Sequence, residues 1–248
     1  MQQSRFQHQP DRSRPMYGVM VTLDSMGLVE LFANAGFDYI GIDTQHSEIE
    51  LPAAAKLLYA VPPSLPVLVR TSSCDTAAIS KMLDSGADGV IVPMINTAEQ
   101  AAQAVAACRY SPRGVRSFGP VRRHLPRDAE SLEGRAACFV MIETVEAVEN
   151  IEAIVATPGL AGVYVGPGDL AITMGHKPAV WPTYEDLRSA CKKVAAACRQ
   201  VGVTAGIHGL TVDHAAEVTR DGFEMVTLAI DKSYVASGIN AYLGAIKA

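Results

Sequence analysis

Hydrophobic and polar positions alternate in blocks along most of the chain. From residue 16 onward, eight short and continuous apolar runs are separated by segments in which apolar residues recur with the period of a helix. Continuous apolar runs are typical of parallel strands that are buried on both faces. The runs predict strands at residues 17–21, 39–42, 67–69, 89–93, 138–142, 162–165, 203–207 and 225–228. The intervening segments predict helices near residues 26–35, 51–60, 75–85, 97–107, 145–156, 183–200, 211–220 and 231–246.

Eight β-α units in a chain of 248 residues predict a single closed (β/α)8 barrel, or TIM barrel, at residues 16–248. A doubly wound sheet is the alternative, and it would need a glycine-rich phosphate turn after an early strand. The first turn, VTLDSMG, has no such pattern. Residues 1–15, MQQSRFQHQPDRSRP, lack the apolar segment of a secretory signal, and we expect a disordered polar tail there.

Composition excludes several classes of partner. The net charge is −5 without a basic cluster, so we expect no binding to nucleic acid. No apolar stretch reaches the roughly 18–20 residues that a membrane span needs. The five cysteines form an odd set without a CxxC pair, which indicates free thiols in a reducing cytoplasm.

Two carboxylates follow consecutive predicted strands. Glu143 comes after the fifth strand and Asp169 follows the sixth, so both belong at the mouth of the barrel, where neighbouring strands are about 4.8 Å apart. Carboxylates this close repel each other unless a proton or cation intervenes, and oxygen ligands favour Mg²⁺ or Mn²⁺. Each residue also precedes a helical segment, so capping of a helix N-terminus is an alternative for both.

Other polar residues stand at strand ends. Arg70 ends the third strand, where a guanidinium could bind a carboxylate or a developing oxyanion, or form a salt bridge across the mouth. His46 follows the second strand and could be a base, a metal ligand or a loop residue. No lysine falls within a predicted strand, which disfavours a Schiff-base mechanism. The long connection at residues 109–137 is predicted to be functional.

Five segments resemble, in order, those of the HpcH/HpaI aldolase family of class II pyruvate aldolases. They are GFDYIGIDTQHSEIE, PVLVRTSSCDTAAISKMLDSGADGVIVPMINTAEQA, YSPRGVRSFGP, IETVEAVENIEAI and PGLAGVYVGPGDLAITMGH. The resemblance implies a barrel of the phosphoenolpyruvate/pyruvate type. It implies a lyase that cleaves or forms the C3–C4 bond of 4-hydroxy-2-oxo acids, with pyruvate and an aldehyde as its small-molecule partners.

The resemblance also implies residue roles. Glu143 and Asp169 would hold the divalent metal, Mg²⁺, Mn²⁺ or Co²⁺, and Arg70 would face the keto oxygen of pyruvate. His46 would carry out acid–base chemistry, supported by Asp84. The backbone around Gly166, Gly168 and Asp169 would hold the pyruvate carboxylate. Such enzymes are homo-oligomers, trimers or hexamers, in which the last helix packs on a neighbour.

Two positions depart from the pattern of this family. Gln45 stands where many members have a glutamate, and Met141 stands where many have a glutamine. Arg116, in the long connection, is a candidate for the aldehyde side of the site. Alternative functions are oxaloacetate decarboxylation or lysis of a coenzyme A thioester at the same site, and a barrel that binds a keto acid without catalysis.

Overall fold

The predicted closed barrel is confirmed. A computed structural model describes residues 4–6, 14–178, 184–208 and 211–247. Eight parallel strands pair in chain order, and the last pairs with the first. The strands are β1 (Met16–Val21), β2 (Tyr39–Asp43), β3 (Val67–Arg70), β4 (Gly89–Val92), β5 (Ala137–Ile142), β6 (Gly162–Val165), β7 (Thr204–Ile207) and β8 (Met225–Ile230).

Helices follow the strands and cover the outside of the barrel. They are α1 (Met26–Ala33), α2 (Leu51–Leu57), α3 (Thr76–Asp84), α4 (Ala98–Ala107), α5 (Ala129–Arg135), α6 (Val145–Glu149), α7 (Ile151–Val155), α8 (Pro167–Thr173), α9 (Glu185–Val201), α10 (Val212–Arg220) and α11 (Asp231–Lys247). Among the residues described, no helix combines the length and the apolar character that crossing a membrane requires.

The helices differ from the prediction at three places. The single helix expected at residues 145–156 is two helices that meet at Asn150, whose side-chain amide donates to the Asn96 carbonyl at 2.9 Å. The helix α5, capped by Asp128, lies inside the long connection. The helix α8 begins at Pro167, because the first helical position tolerates a residue without an N–H group.

Two apolar layers result from strands that are buried on both faces. Outward-facing strand residues pack under the helices, and inward-facing residues fill the barrel. The inner layer includes Tyr39, whose ring lies against the backbone of β1 at Gly18. A Cβ atom at Gly18 would lie 2.2 Å from that ring, so only glycine leaves room for the tyrosine inside the barrel.

The expectation of a disordered tail is wrong for residues 4–6. Phe6 is fully buried at the amino-terminal end of the barrel, with its ring edge-to-face against Tyr39 and Phe139, each at 5.9 Å between centroids. The Thr204 hydroxyl donates to the Phe6 carbonyl at 2.9 Å. A single aromatic residue in a polar segment has no periodicity, so the sequence pattern could not predict this contact. Residues 1–3 and 7–13 lie outside the described residues.

We expect Phe6→Ala to lower the free energy of unfolding by about 3 kcal/mol, because it empties a closed aromatic cluster. The matched control is Phe118→Ala, which removes the same side chain from a half-exposed position and should cost less than about 1 kcal/mol. Urea denaturation of both variants measures the difference. Equal losses for the two variants would contradict the structural role of Phe6.

Candidate active site

The carboxyl ends of the strands surround a cavity of about 830 Å³. This is the end of a (β/α)8 barrel where catalytic groups are found. Six of the residues proposed from sequence line the cavity, and Glu143 lies next to one of them. The six are His46, Arg70, Met141, Gly166, Gly168 and Asp169, and Glu143 lies directly beside Gly166.

A buried ion pair forms one wall of the cavity. The β2–β3 register places Asp43 directly beside Arg70. Arg70 donates from Nε to Asp43 Oδ1 at 2.8 Å and from Nη2 to Asp43 Oδ2 at 2.6 Å. Among the described residues, the third guanidinium nitrogen, Nη1, has one hydrogen-bond partner, the Met141 sulfur at 3.9 Å. The bidentate pair therefore fixes the guanidinium plane and leaves Nη1 for a ligand.

Each member of this pair stabilises the charged form of the other. Burial raises the pKa of the Asp43 carboxyl, but hydrogen bonds and charge from Arg70 outweigh burial, so the net pKa of Asp43 is lowered. Burial likewise lowers the pKa of Arg70, and Asp43 more than restores it. Both groups are charged at neutral pH. The sequence analysis did not assign this role to Asp43, although two charged residues at the ends of adjacent strands were a usable signal.

Glu143 follows β5 and is buried. Its Oε1 accepts a hydrogen bond from the Met94 N–H at 2.7 Å. Met94 has a φ of 56°, a left-handed conformation that is uncommon for residues other than glycine and that often occurs at functional sites. A Cβ atom at Gly166 would lie 2.8 Å from Glu143 Oε2, so the glycine leaves space beside this oxygen.

Asp169 lies in the first turn of α8 and is exposed. Burial raises the pKa of Glu143, the Met94 N–H opposes this shift, and the charge of Asp169 adds to it. The two carboxylates are therefore close enough to interact electrostatically. Neither of them caps a helix: Thr144 caps α6 with its side chain, and Gly166 occupies the N-cap of α8. The capping alternative is wrong for both residues.

The loop after β2 carries His46, and Asp43 orders this loop. Asp43 Oδ1 accepts hydrogen bonds from the backbone N–H groups of Gln45 at 2.9 Å and His46 at 3.4 Å. The His46 residue is exposed at the cavity. Gln45 is half-buried, and its Oε1 has no hydrogen-bond partner among the described residues.

The structure does not bring Asp84 to His46 within one chain. Asp84 ends α3 and accepts a hydrogen bond from Arg116 Nη2 at 2.8 Å. Arg116, within the long connection, is buried, with its guanidinium 4.8 Å from the centroid of the Tyr110 ring. Neither Asp84 nor Arg116 is among the residues that line the cavity.

Four hydrogen-bonded side chains, His208, Tyr164, Thr227 and Tyr39, form a polar column that extends from the cavity into the barrel. The half-buried His208 follows β7 and lines the cavity, and its Nδ1 lies 3.3 Å from the Tyr164 hydroxyl. Tyr164 hydrogen-bonds to Thr227, and Thr227 lies 2.8 Å from the Tyr39 hydroxyl. No periodicity in the sequence indicates the column, because its members come from β2, β6, β8 and the end of β7.

The geometry limits the chemistry of the cavity. In the described part of the chain, no three or more His, Cys, Asp or Glu side chains form a group that could hold a metal, so these side chains would supply an ion with at most two ligands. No lysine lies in a strand. The cavity therefore offers one fixed guanidinium nitrogen, a carboxylate pair and an accessible imidazole for reactions of an anionic oxygen substrate.

Comparisons with known proteins agree with this arrangement. Residues 16–237 match the family model described as HpcH/HpaI aldolase/citrate lyase. The hydroxypyruvate/pyruvate aldolase of Rhizorhabdus wittichii is 36% identical over 239 residues, with 92% of each chain covered. The 4-hydroxy-2-oxo-heptane-1,7-dioate aldolase of Klebsiella pneumoniae is 35% identical, with 92% of this chain and 88% of that protein covered.

A solved structure extends the agreement to the fold. The crystal structure of an HpcH/HpaI aldolase/citrate lyase family protein from Burkholderia cenocepacia J2315 superposes with a TM-score of 0.87 at 29% identity and covers 96% of each chain. The resemblance drawn from the five sequence segments is thereby confirmed. The chain belongs to the HpcH/HpaI aldolase/citrate lyase family.

Proposed function

We propose that this family member is a divalent-metal-dependent pyruvate aldolase, a lyase that cleaves or forms the C3–C4 bond of 4-hydroxy-2-oxo acids. The observation that carries the proposal is the position of Arg70 Nη1, which has only a weak sulfur acceptor among the described residues and which Asp43 holds in the same cavity as Gly166 and Asp169. The similar proteins named above are aldolases of 2-oxo acids, which supports pyruvate and an aldehyde as products.

The residues present fit a divalent cation. Glu143 and Asp169 supply hard oxygen ligands, which suit Mg²⁺, Mn²⁺ or Co²⁺. Gly166 leaves space at Glu143 Oε2. Burial and, to a smaller extent, the charge of Asp169 raise the pKa of Glu143, and a bound cation would offset both effects. When bound, such an ion supplies the positive charge that favours enolate formation.

The protein's own groups would position the substrate and move its proton. Gly166 is the N-cap of α8, and its own N–H already donates to the Ile142 carbonyl at 3.2 Å. The N–H groups of Gly168 and Asp169, in the first turn of α8, would donate to the substrate carboxylate beside it. Arg70 Nη1 would donate to the 2-keto oxygen and stabilise the negative charge that develops there. His46 would accept the 4-hydroxyl proton as the C3–C4 bond breaks.

Support of His46 by Asp84 would require a second copy of the chain. Asp84 and Arg116 lie together outside the cavity of their own chain, so their proposed roles at His46 and at the aldehyde belong to the site of a neighbour. This arrangement would place both residues at an interface between subunits.

We further propose a homo-oligomer, trimer or hexamer, in which α11 packs on another copy. Only Asp231 of this helix is buried, and its apolar side chains at Val235, Ile239, Tyr242 and Ile246 are between 41% and 80% exposed. Exposed apolar patches of this kind mark association surfaces. Analytical ultracentrifugation should give three or six times the chain mass of 26.3 kDa, and a monomer at micromolar concentration would contradict the proposal.

The test of the proposed activity is proton exchange at the pyruvate methyl group in D₂O, followed by NMR. We expect exchange with added Mg²⁺, Mn²⁺ or Co²⁺, none with EDTA, and recovery when metal is returned, because enolisation requires a cation here. Aldol product with an added aldehyde should follow the same metal dependence.

The outcomes separate the alternative functions. Exchange without aldol product, together with turnover of oxaloacetate, would indicate a decarboxylase, and turnover of a coenzyme A thioester would indicate the other lyase. Binding of pyruvate without exchange would indicate a non-catalytic barrel. Exchange that survives EDTA would contradict a metal-dependent mechanism.

We expect Gly166→Ala to weaken Mn²⁺ binding at least about tenfold, because the new methyl group would displace the Glu143 carboxylate. Gly168→Ala is the matched control: a Cβ atom at Gly168 has no neighbour within 4 Å, so its Mn²⁺ affinity should change less than about threefold. Titration followed by electron paramagnetic resonance measures both affinities. Equal Mn²⁺ affinity in the two variants would argue against Glu143 as a ligand.

A further inference from the structure

His208 lines the cavity, and among the described residues the one side chain that hydrogen-bonds to its ring is Tyr164, at Nδ1. Nδ1 lies 3.3 Å from the Tyr164 hydroxyl, and the ring lines the cavity with charged neighbours at Arg70 and Asp43. Nε2 is therefore the nitrogen available to a ligand. Its chemical character depends on which nitrogen carries the proton, and the hydrogen bond at the other nitrogen decides this.

The polar column assigns the proton to Nε2. A phenol is a stronger acid than a neutral imidazole, and an imidazole nitrogen is a stronger base than a phenol oxygen, so Tyr164 donates and Nδ1 accepts. Tyr39 can then donate to Thr227, and Thr227 to Tyr164, so that each hydroxyl proton has an acceptor of its own. In the alternative arrangement, Nδ1–H would donate to Tyr164, Tyr164 to Thr227, and Thr227 to Tyr39. The Tyr39 hydroxyl proton would then share the Tyr164 oxygen as its acceptor with His208.

The imidazole is also neutral. Burial, and next the charge of Arg70, lower the pKa of His208 to about 4. A neutral ring next to a guanidinium avoids repulsion between two cations, so at neutral pH His208 presents an uncharged N–H donor to the cavity. A donor of this kind recognises an oxygen with a free lone pair and adds no attraction for a second carboxylate.

From this placement we infer that His208 is a specificity-determining residue, whose Nε2–H donates to an alcohol oxygen on the carbon next to a substrate carbonyl. The inference rests on the proposed aldolase function. Two sources carry this alcohol: the C3 hydroxyl of hydroxypyruvate as donor substrate, and the hydroxyl of a 2-hydroxyaldehyde such as glycolaldehyde as acceptor. Substrates with hydrogen at the same position leave the N–H without a partner.

The test compares kcat/KM for four substrate pairs in the metal-loaded enzyme. Pyruvate and hydroxypyruvate are each combined with acetaldehyde and glycolaldehyde, so the two sources of the alcohol are separated. We expect the ratio of hydroxylated to unhydroxylated substrate to fall about tenfold in His208→Leu for one of the two sources. His208→Gln, which keeps an N–H donor near the Nε2 position, should keep the ratio within about threefold of the wild type.

Two tyrosine variants test the column itself. Tyr164→Phe removes the hydroxyl that holds Nδ1, so the ratio should fall about threefold as the other tautomer becomes populated. Tyr39→Phe makes the same chemical change at the far end of the column, keeps the Tyr164 bond to His208, and should change the ratio less than Tyr164→Phe. Equal effects of the two substitutions would contradict the assignment of the proton.

The tautomer has a readout that is independent of activity. In nitrogen-15 NMR of the histidine-labelled protein, the His208 signals are those that disappear in His208→Gln. These signals should show an unprotonated Nδ1 and a protonated Nε2. The opposite tautomer would overturn the inference, as would a substrate ratio that does not change in His208→Leu. Absence of aldol product from every pair in the wild-type enzyme would instead overturn the proposed function.

Discussion

A guanidinium that is 7% exposed has to be paired, because a buried charge without a partner costs several kcal/mol. Arg70 meets this constraint through Asp43, and the same carboxylate orders the backbone that leads to His46. One aspartate thus sets the direction of Arg70 Nη1 and the position of the imidazole loop. Because the pKa of Asp43 is lowered, the stabilising contribution of its charge is present above the ordinary pKa of aspartate and is lost only when the pH falls through the lowered value.

The pair depends in turn on the barrel. Asp43 and Arg70 meet because β2 and β3 are parallel and in a register that aligns their last residues. Below them, the barrel interior is filled by aromatic and aliphatic side chains, with Phe6 at the far end. The polar side chains at Tyr39, Tyr164 and Thr227 hydrogen-bond to one another, so they do not leave buried hydroxyls unsatisfied. Hydrogen-bonded hydroxyl groups therefore extend from Tyr39, which packs on Phe6, to His208 at the cavity.

The fold could be predicted because each strand is a continuous apolar run. Once eight strand–helix units close into a barrel, each strand pairs with the next one in the chain. The same topology predicts Glu143 and Asp169 at one mouth of the barrel, since both follow the carboxyl ends of neighbouring strands. Contacts between two residues that are far apart in the sequence could not be predicted. An example is the hydrogen bond between Thr204 and Phe6, which are 198 positions apart. Asp84 pairs with Arg116 rather than with His46, and this contact could not be predicted either. It depends on the path of residues 109–137, which the sequence pattern does not determine.

The two departures from the family pattern have physical consequences at this mouth. Met141 offers Arg70 Nη1 only a weak sulfur acceptor, at 3.9 Å, so that this N–H retains its capacity for a substrate oxygen. Gln45 is neutral, so the charges to be summed at the mouth are those of the neighbouring acidic and basic side chains. Asp43 offsets Arg70, His208 is uncharged, and Glu143 with Asp169 leaves two negative charges, which one divalent cation would neutralise. A glutamate at position 45 would add a negative charge next to Asp43, to which the N–H of this residue donates at 2.9 Å, so glutamine leaves the charge of the Asp43–Arg70 pair balanced.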